Sequence, residues 1–118
     1  MTLNEYQDKA MTTCLVTCEN TSYMLLNLVG EVGEFAGKLA KAIRKNDIVI
    51  RENDMMPVVV DHADETIADL KSEAGDILWQ LSGLCRVMGW KLEDVAQANL
   101  DKLAARKKTD TIITHTDH

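Results

Sequence analysis

Leu28-Val29-Gly30-Glu31-Val32-Gly33-Glu34 and Glu73-Ala74-Gly75-Asp76-Ile77-Leu78-Trp79 are the two stretches from which the fold is read. Each holds two acids three residues apart inside an apolar segment with helical patterning. Residues at that spacing lie on one helix face, about 5–6 Å apart at Cβ. Glu31 with Glu34, and Glu73 with Asp76, therefore present two side-by-side carboxylate pairs. Leu25, Leu26, Leu28, Val29 and Val32 surround the first pair; Ile77, Leu78, Trp79 and Leu81 surround the second. Carboxylates turned toward a helix–helix interface are costly unless they are paired or hold a cation. Converging, these acids form an all-oxygen site for a hard cation. Magnesium suits it, since it prefers carboxylate and water oxygens and keeps positions for substrate phosphates. One such pair alone is a common solvated helix face. Two pairs, each in a long apolar helix and padded by Gly30, Gly33 and Gly75, form a narrower pattern. Mid-helix glycine costs about 1 kcal/mol relative to alanine, and here it leaves room for close helix approach or for a ligand.

Working outward, the chain reads as four helices. Thr2 caps the first, with Glu5 three residues later in a capping-box spacing. That helix is expected to run to about Cys18, with Tyr6, Ala10 and Cys14 inward. Asn20-Thr21-Ser22 is a turn and cap. The second helix spans about Tyr23 to Lys45, with Leu25, Leu28, Val32, Phe35, Leu39 and Ile43 on its inner side. Its basic end, Lys38, Lys41, Arg44 and Lys45, suits a helix C-terminus. Residues 46–62 form a long connection. It contains Ile48-Val49-Ile50 and Val58-Val59-Val60, but two short strands alone are marginal, so the segment is read as a loop. The third helix spans about Asp64 to Met88, with Ile67, Leu70, Ala74, Ile77, Leu78, Leu81 and Leu84 inward, and Gly89 stops it. The fourth spans about Leu92 to Lys107, with Leu92, Val95, Ala96, Leu100 and Leu103 inward. Residues 109–118 read as a polar tail. The expected fold is all-α, a four-helix bundle in one domain over residues 1–108. Its broad apolar faces call for completion by a symmetric dimer or a dimer of dimers.

Composition narrows the function. A chain of 118 residues supports one core. Aromatic residues make up 4% and Pro57 is the single proline, which favours helices over a sandwich or barrel. A net charge of -6 argues against a nucleic-acid polymer as partner, which needs a basic face. It does not oppose a single nucleotide held through metal ions. No segment reaches the roughly 18–20 apolar residues of a membrane span, and the N-terminus lacks a signal-peptide pattern. A cytoplasmic location is expected. Cys14, Cys18 and Cys85 have no zinc spacing and read as reduced thiols.

Further polar groups extend the acidic faces. Lys38 follows Glu34 by one turn. Asp69 and Gln80 stand four residues from Glu73 and Asp76. A carboxylate-bridged di-iron or di-manganese bundle would need Glu-x-x-His motifs. His62, His115 and His118 do not supply them.

Taken together, the two acidic stretches resemble the MazG-type all-α nucleoside triphosphate pyrophosphohydrolases. Leu3-Asn4-Glu5-Tyr6-Gln7 and Asn99-Leu100-Asp101-Lys102-Leu103-Ala104-Ala105-Arg106 extend the likeness over most of residues 3–107, the long connection excepted. The resemblance implies cleavage of an NTP or dNTP between its α and β phosphates, giving NMP and pyrophosphate. It implies magnesium, with manganese as the alternative, and a helical homodimer or homotetramer. It assigns Glu31, Glu34, Glu73 and Asp76 as metal ligands and catalytic acids, and Lys102 and Arg106 as phosphate contacts. Lys38, Gln80, Tyr6, Gln7 and Trp79 are secondary candidates beside the nucleotide. The expanded connection and a tail without a glycine-rich ending depart from the pattern and bear on substrate choice. A non-catalytic helical binding module that keeps the fold is the competing reading.

Overall fold

Two helices of 24 residues each carry the acidic pairs: α2 (Thr21–Arg44) and α3 (Asp64–Val87). A short α1 (Leu3–Met11) precedes them, followed by a 3-10 turn at Val16–Cys18, and α4 (Leu92–Lys108) closes the order. The computed structural model describes residues 1–50, 58–59 and 64–109. Expectations about residues 51–57, 60–63 and the tail at 110–118 lie outside the described residues. The architecture is all-α. No described helix is long and apolar enough to cross a membrane.

The helix ends follow from local chemistry. Thr2 and Glu5 form the expected capping box, with reciprocal bonds of 3.1 Å. Asn20 caps α2 by accepting from the Tyr23 amide at 2.8 Å. At the other end of α2, Asn46 takes φ 63°. The Asn46 amide donates to the Ile43 carbonyl and the Asp47 amide to that of Ala42, a Schellman closure. Gly89, at φ 79°, ends α3 the same way, with Gly89 donating to Arg86 and Trp90 to Cys85.

α2 and α3 pack antiparallel: Asn27 meets Gln80, Lys38 meets Glu73 and Asp69, and Ala42 lies in one cluster with Leu70. Phe35, Leu39 and Ile48 complete that cluster. α1 lies across α3, and Gln7 ties three elements together. Its buried amide donates to the Ser82 and Trp90 carbonyls and accepts from the Leu92 amide, each at 3.1 Å.

Several sequence expectations need correction. α1 ends at Met11, not near Cys18. The Thr12 and Thr13 hydroxyls donate back to the Lys9 and Ala10 carbonyls, at 2.6 and 2.7 Å, and compete with helix continuation. The connection is not wholly a loop: β1 (Ile48–Val49) pairs antiparallel with β2 (Val58–Val59). Ile48 is buried against the α2–α3 cluster, which anchors a ladder too short to stand alone. The inner side of α2 is also shifted. Met24 and Ala42 are buried and Leu28, Glu31, Phe35, Lys38 and Leu39 partly so, whereas Leu25, Val32 and Ile43 are exposed. Ile67, Leu78 and Leu81 on α3, and Val95, Leu100 and Leu103 on α4, are exposed as well. These helices are apolar on more than one side, and a single chain covers only one.

Gln7→Leu keeps the volume but removes the Gln7 bonds to two carbonyls and to the buried Leu92 amide. We expect a loss of at least about 2 kcal/mol in stability, measured as a lower urea midpoint at unchanged helical content.

Candidate metal centre

The antiparallel pairing of α2 and α3 brings three acids to one point. Oxygens of Glu31, Glu73 and Asp76 all lie within 4.8 Å of one another. Glu73 is buried, Glu31 half-buried and Asp76 exposed, so the cluster opens to solvent on one side. Two of its atoms, Oε2 of Glu31 and Oε2 of Glu73, are buried without a hydrogen-bond partner. A buried acceptor left in that state costs about 1–3 kcal/mol, more when charged. The donor set is entirely carboxylate oxygen, which fits a hard divalent cation. The residues present therefore fit a metal of the magnesium class. Glu34 stands outside the tight group. It is exposed, and its nearby charge helps to raise the Glu31 carboxyl.

The electrostatics record the same crowding. Burial pushes the Glu31 carboxyl up from its usual range, and Glu34, Asp76 and Glu73 push it further by repulsion. Lys38 answers part of the charge. Its Nζ donates to Glu73 Oε1 at 2.7 Å and to Asp69 Oδ1 at 2.8 Å. These hydrogen bonds, Asp69 first, raise the lysine pKa, so it stays a cation. Tyr6 stands near the centre: burial and then the Asp76 charge raise its phenol, which stays a protonated donor.

The remaining candidates are placed elsewhere. Gln7 and Gln80 are buried, and their amides bond within the helix packing. Gln80 accepts from Asn27 at 2.6 Å and donates to the Met24 backbone carbonyl and sulfur. Trp79 donates its indole N–H to the Ala10 carbonyl and the Thr13 hydroxyl, pinning the end of α1 to α3. Lys102 and Arg106 lie on the exposed length of α4 and make no ion pair among the described residues. Only Leu92 is buried on that helix. Sequence reasoning passed over Asn27. Its signal was its place one helical turn before Glu31, opposite the polar Gln80.

The sign of the pH dependence follows from Glu31. Its folded pKa lies above the unfolded value, so the native state binds the proton more tightly. In chelator, the stability of the metal-free protein should fall as pH rises from the ordinary glutamate value of 4.5 through the raised folded value. Glu31→Gln should flatten that decline and melt higher than wild type at neutral pH. A wild-type curve that rises over this window would refute the assignment.

Comparison with known proteins agrees with this geometry. The MazG nucleotide pyrophosphohydrolase domain model matches residues 19–110, which span Glu31, Glu34, Glu73 and Asp76. The chain is 36% identical over 94 residues to the Gene 37 protein of Mycobacterium phage L5, covering 80% of this chain and 72% of that protein. No solved structure matches. With the family model covering most of its length and the acids meeting between α2 and α3, this chain belongs to the MazG nucleotide pyrophosphohydrolase domain family.

Proposed function

We propose that the protein is a magnesium-dependent nucleoside triphosphate pyrophosphohydrolase that cleaves an NTP or dNTP to NMP and pyrophosphate. One observation carries the reading beyond family membership: Glu31, Glu73 and Asp76 converge with two buried, unpartnered carboxylate oxygens. A bound cation would offset that cost. Glu31, Glu73 and Asp76 would hold the metal, with Glu34 beside them. A bound magnesium ion supplies charge neutralisation at the phosphates and makes a nearby water more acidic. In the reaction, the water oxygen bonds to the α phosphorus while the bond to the bridging oxygen breaks. Pyrophosphate leaves with that electron pair, and the proton reaches solvent past the exposed Glu34 and Asp76 carboxylates.

Assembly belongs to the same reading. Leu25, Leu26, Val29 and Val32 are 50%, 73%, 66% and 49% exposed along one side of α2. Apolar surface of this kind marks an interaction face. The radius of gyration is 17.5 Å, against about 13 Å for a compact chain of 100 residues. A homodimer or homotetramer would cover these faces. It would also give Lys102 and Arg106, which make no ion pair among the described residues, a neighbour's substrate phosphates to hold. The setting is taken as cytoplasmic.

Pyrophosphate release from a panel of NTPs and dNTPs with magnesium tests the activity. Glu34→Gln and Asp76→Asn should abolish turnover with the fold intact. Wild type should gain thermal stability on adding magnesium by mass action, and a melting temperature blind to magnesium would count against the centre.

A second expectation concerns α4. Lys102→Ala and Arg106→Ala should each lower kcat/KM by roughly tenfold or more, about 1.4 kcal/mol, while the magnesium response survives. Light scattering should give a multiple of the monomer mass. Co-refolded mixtures of Asp76→Asn and Arg106→Ala chains should be more active than the two separately refolded proteins combined; no gain would place both residues in one chain's site.

A further inference from the structure

Four cations end α2, and three of them line one groove. Lys38, Lys41 and Lys45 face a cavity of about 230 Å³ between α2 and the first turns of α3, whereas Arg44 does not border it. Steps of three and four residues put the three lysines on one helix side. The helix dipole explains cations only in the last turn; Lys38 lies six residues before the final helical residue, Arg44. A basic row along one side is unusual in a chain of net charge -6.

The groove is continuous with the metal centre. Lys38 Nζ sits 2.7 Å from Glu73 Oε1, so one end of the row touches the acid cluster. The groove's own acids are largely occupied: Asp69 pairs with Lys38, and Asp47 accepts from the Thr66 hydroxyl at 3.5 Å. Lys41 and Lys45 have no ion-pair partner among the described residues. Thr66, the third residue of α3, brings a hydroxyl and the positive end of that helix to the same place. The result is a cation-lined trough leading away from a candidate metal site.

We propose that this groove seats the diphosphate portion of the substrate and the pyrophosphate product, with Lys41 and Lys45 as its binding cations. The inference rests on the pyrophosphohydrolase reading for which end of the nucleotide lies there. Lysine suits the task as a flexible point charge with three donors, able to follow a leaving group without a fixed fork. A diphosphate in the trough would have its inner end beside Lys38 and the acids and its outer end at Lys45. The nucleoside would then lie on the opposite side of the metal centre, toward Tyr6.

Calorimetric titration of inorganic pyrophosphate in the presence of magnesium tests this without turnover. The comparison is wild type, the double variant Lys41→Ala/Lys45→Ala, and Arg44→Ala as a control cation outside the groove. The double variant should bind pyrophosphate at least tenfold more weakly, with an unchanged melting temperature and an unchanged magnesium response. Arg44→Ala should bind within about twofold of wild type. Equal pyrophosphate affinity in the double variant overturns the proposal. So does an equal loss in Arg44→Ala, which would mark a diffuse charge effect. Absence of NTP cleavage by wild type would instead defeat the pyrophosphohydrolase reading, and the binding titration would still decide the groove.

Discussion

The burial of carboxylates between α2 and α3 is the constraint on which the rest depends. Glu31 and Glu73 come from opposite helices and turn inward at the same level. Each leaves an oxygen without a partner. Such an arrangement opposes folding unless a cation completes it, because buried charge is costly when unpaired. The layers around it read as compensation. On one side, Lys38 bridges Glu73 and Asp69. On the other, Asn27 and Gln80 form a neutral hydrogen bond across the same interface. Beyond these, Ala42, Leu70 and Ile48 restore an apolar contact. The α2–α3 interface is thus polar through its middle and apolar beyond it, and that middle is where a ligand can be held.

This polar seam accounts for the modest core of the single chain. Few side chains are fully buried, and those with the least exposure include Gln80 and Ser82 as well as Met24 and Ile48. Positions that a purely structural bundle would fill with leucine are given to acids and amides. The leucines and valines of α2 and α4 consequently lie on other sides of their helices, exposed in the chain. An interface committed to binding a cation leaves hydrophobic stabilisation to be found elsewhere. Association with a further copy is the route these faces offer.

The helices also divide labour. α1 and the start of α4 act on α3 as struts: Gln7, Trp79 and Asn4 spend their hydrogen bonds on joining helix ends. The length of α4 beyond its first turns is free of the bundle and rich in charge. Rigid support sits at one end of α3, where Trp79, Gln80 and Ser82 are locked. The other end borders the lysine row and the short β ladder. A centre placed between a fixed end and a charged, more open end can hold its ligands in register while admitting a polyanion.

Much of this was legible in the chain itself. The acid pairs at spacing three, the caps at Thr2 and Asn20 and the stop at Gly89 are local signals, set by helix geometry and by backbone donors within four residues. They place the elements and name the acids. Which side of an amphipathic helix faces inward was not legible for α2, because apolar residues occur around most of its circumference and only the packing of α3 selects one side. The same contact decides that Glu31, Glu73 and Asp76 meet while Glu34 stands apart, since convergence depends on the register of two helices whose acids are far apart in the chain. Gln7 and Gln80 looked like ligand-facing amides for the same reason: sequence marks a polar group, and only tertiary structure says which partner satisfies it. The identity of the acids was written locally; their distances, and so their chemistry, were fixed by the crossing of α2 and α3.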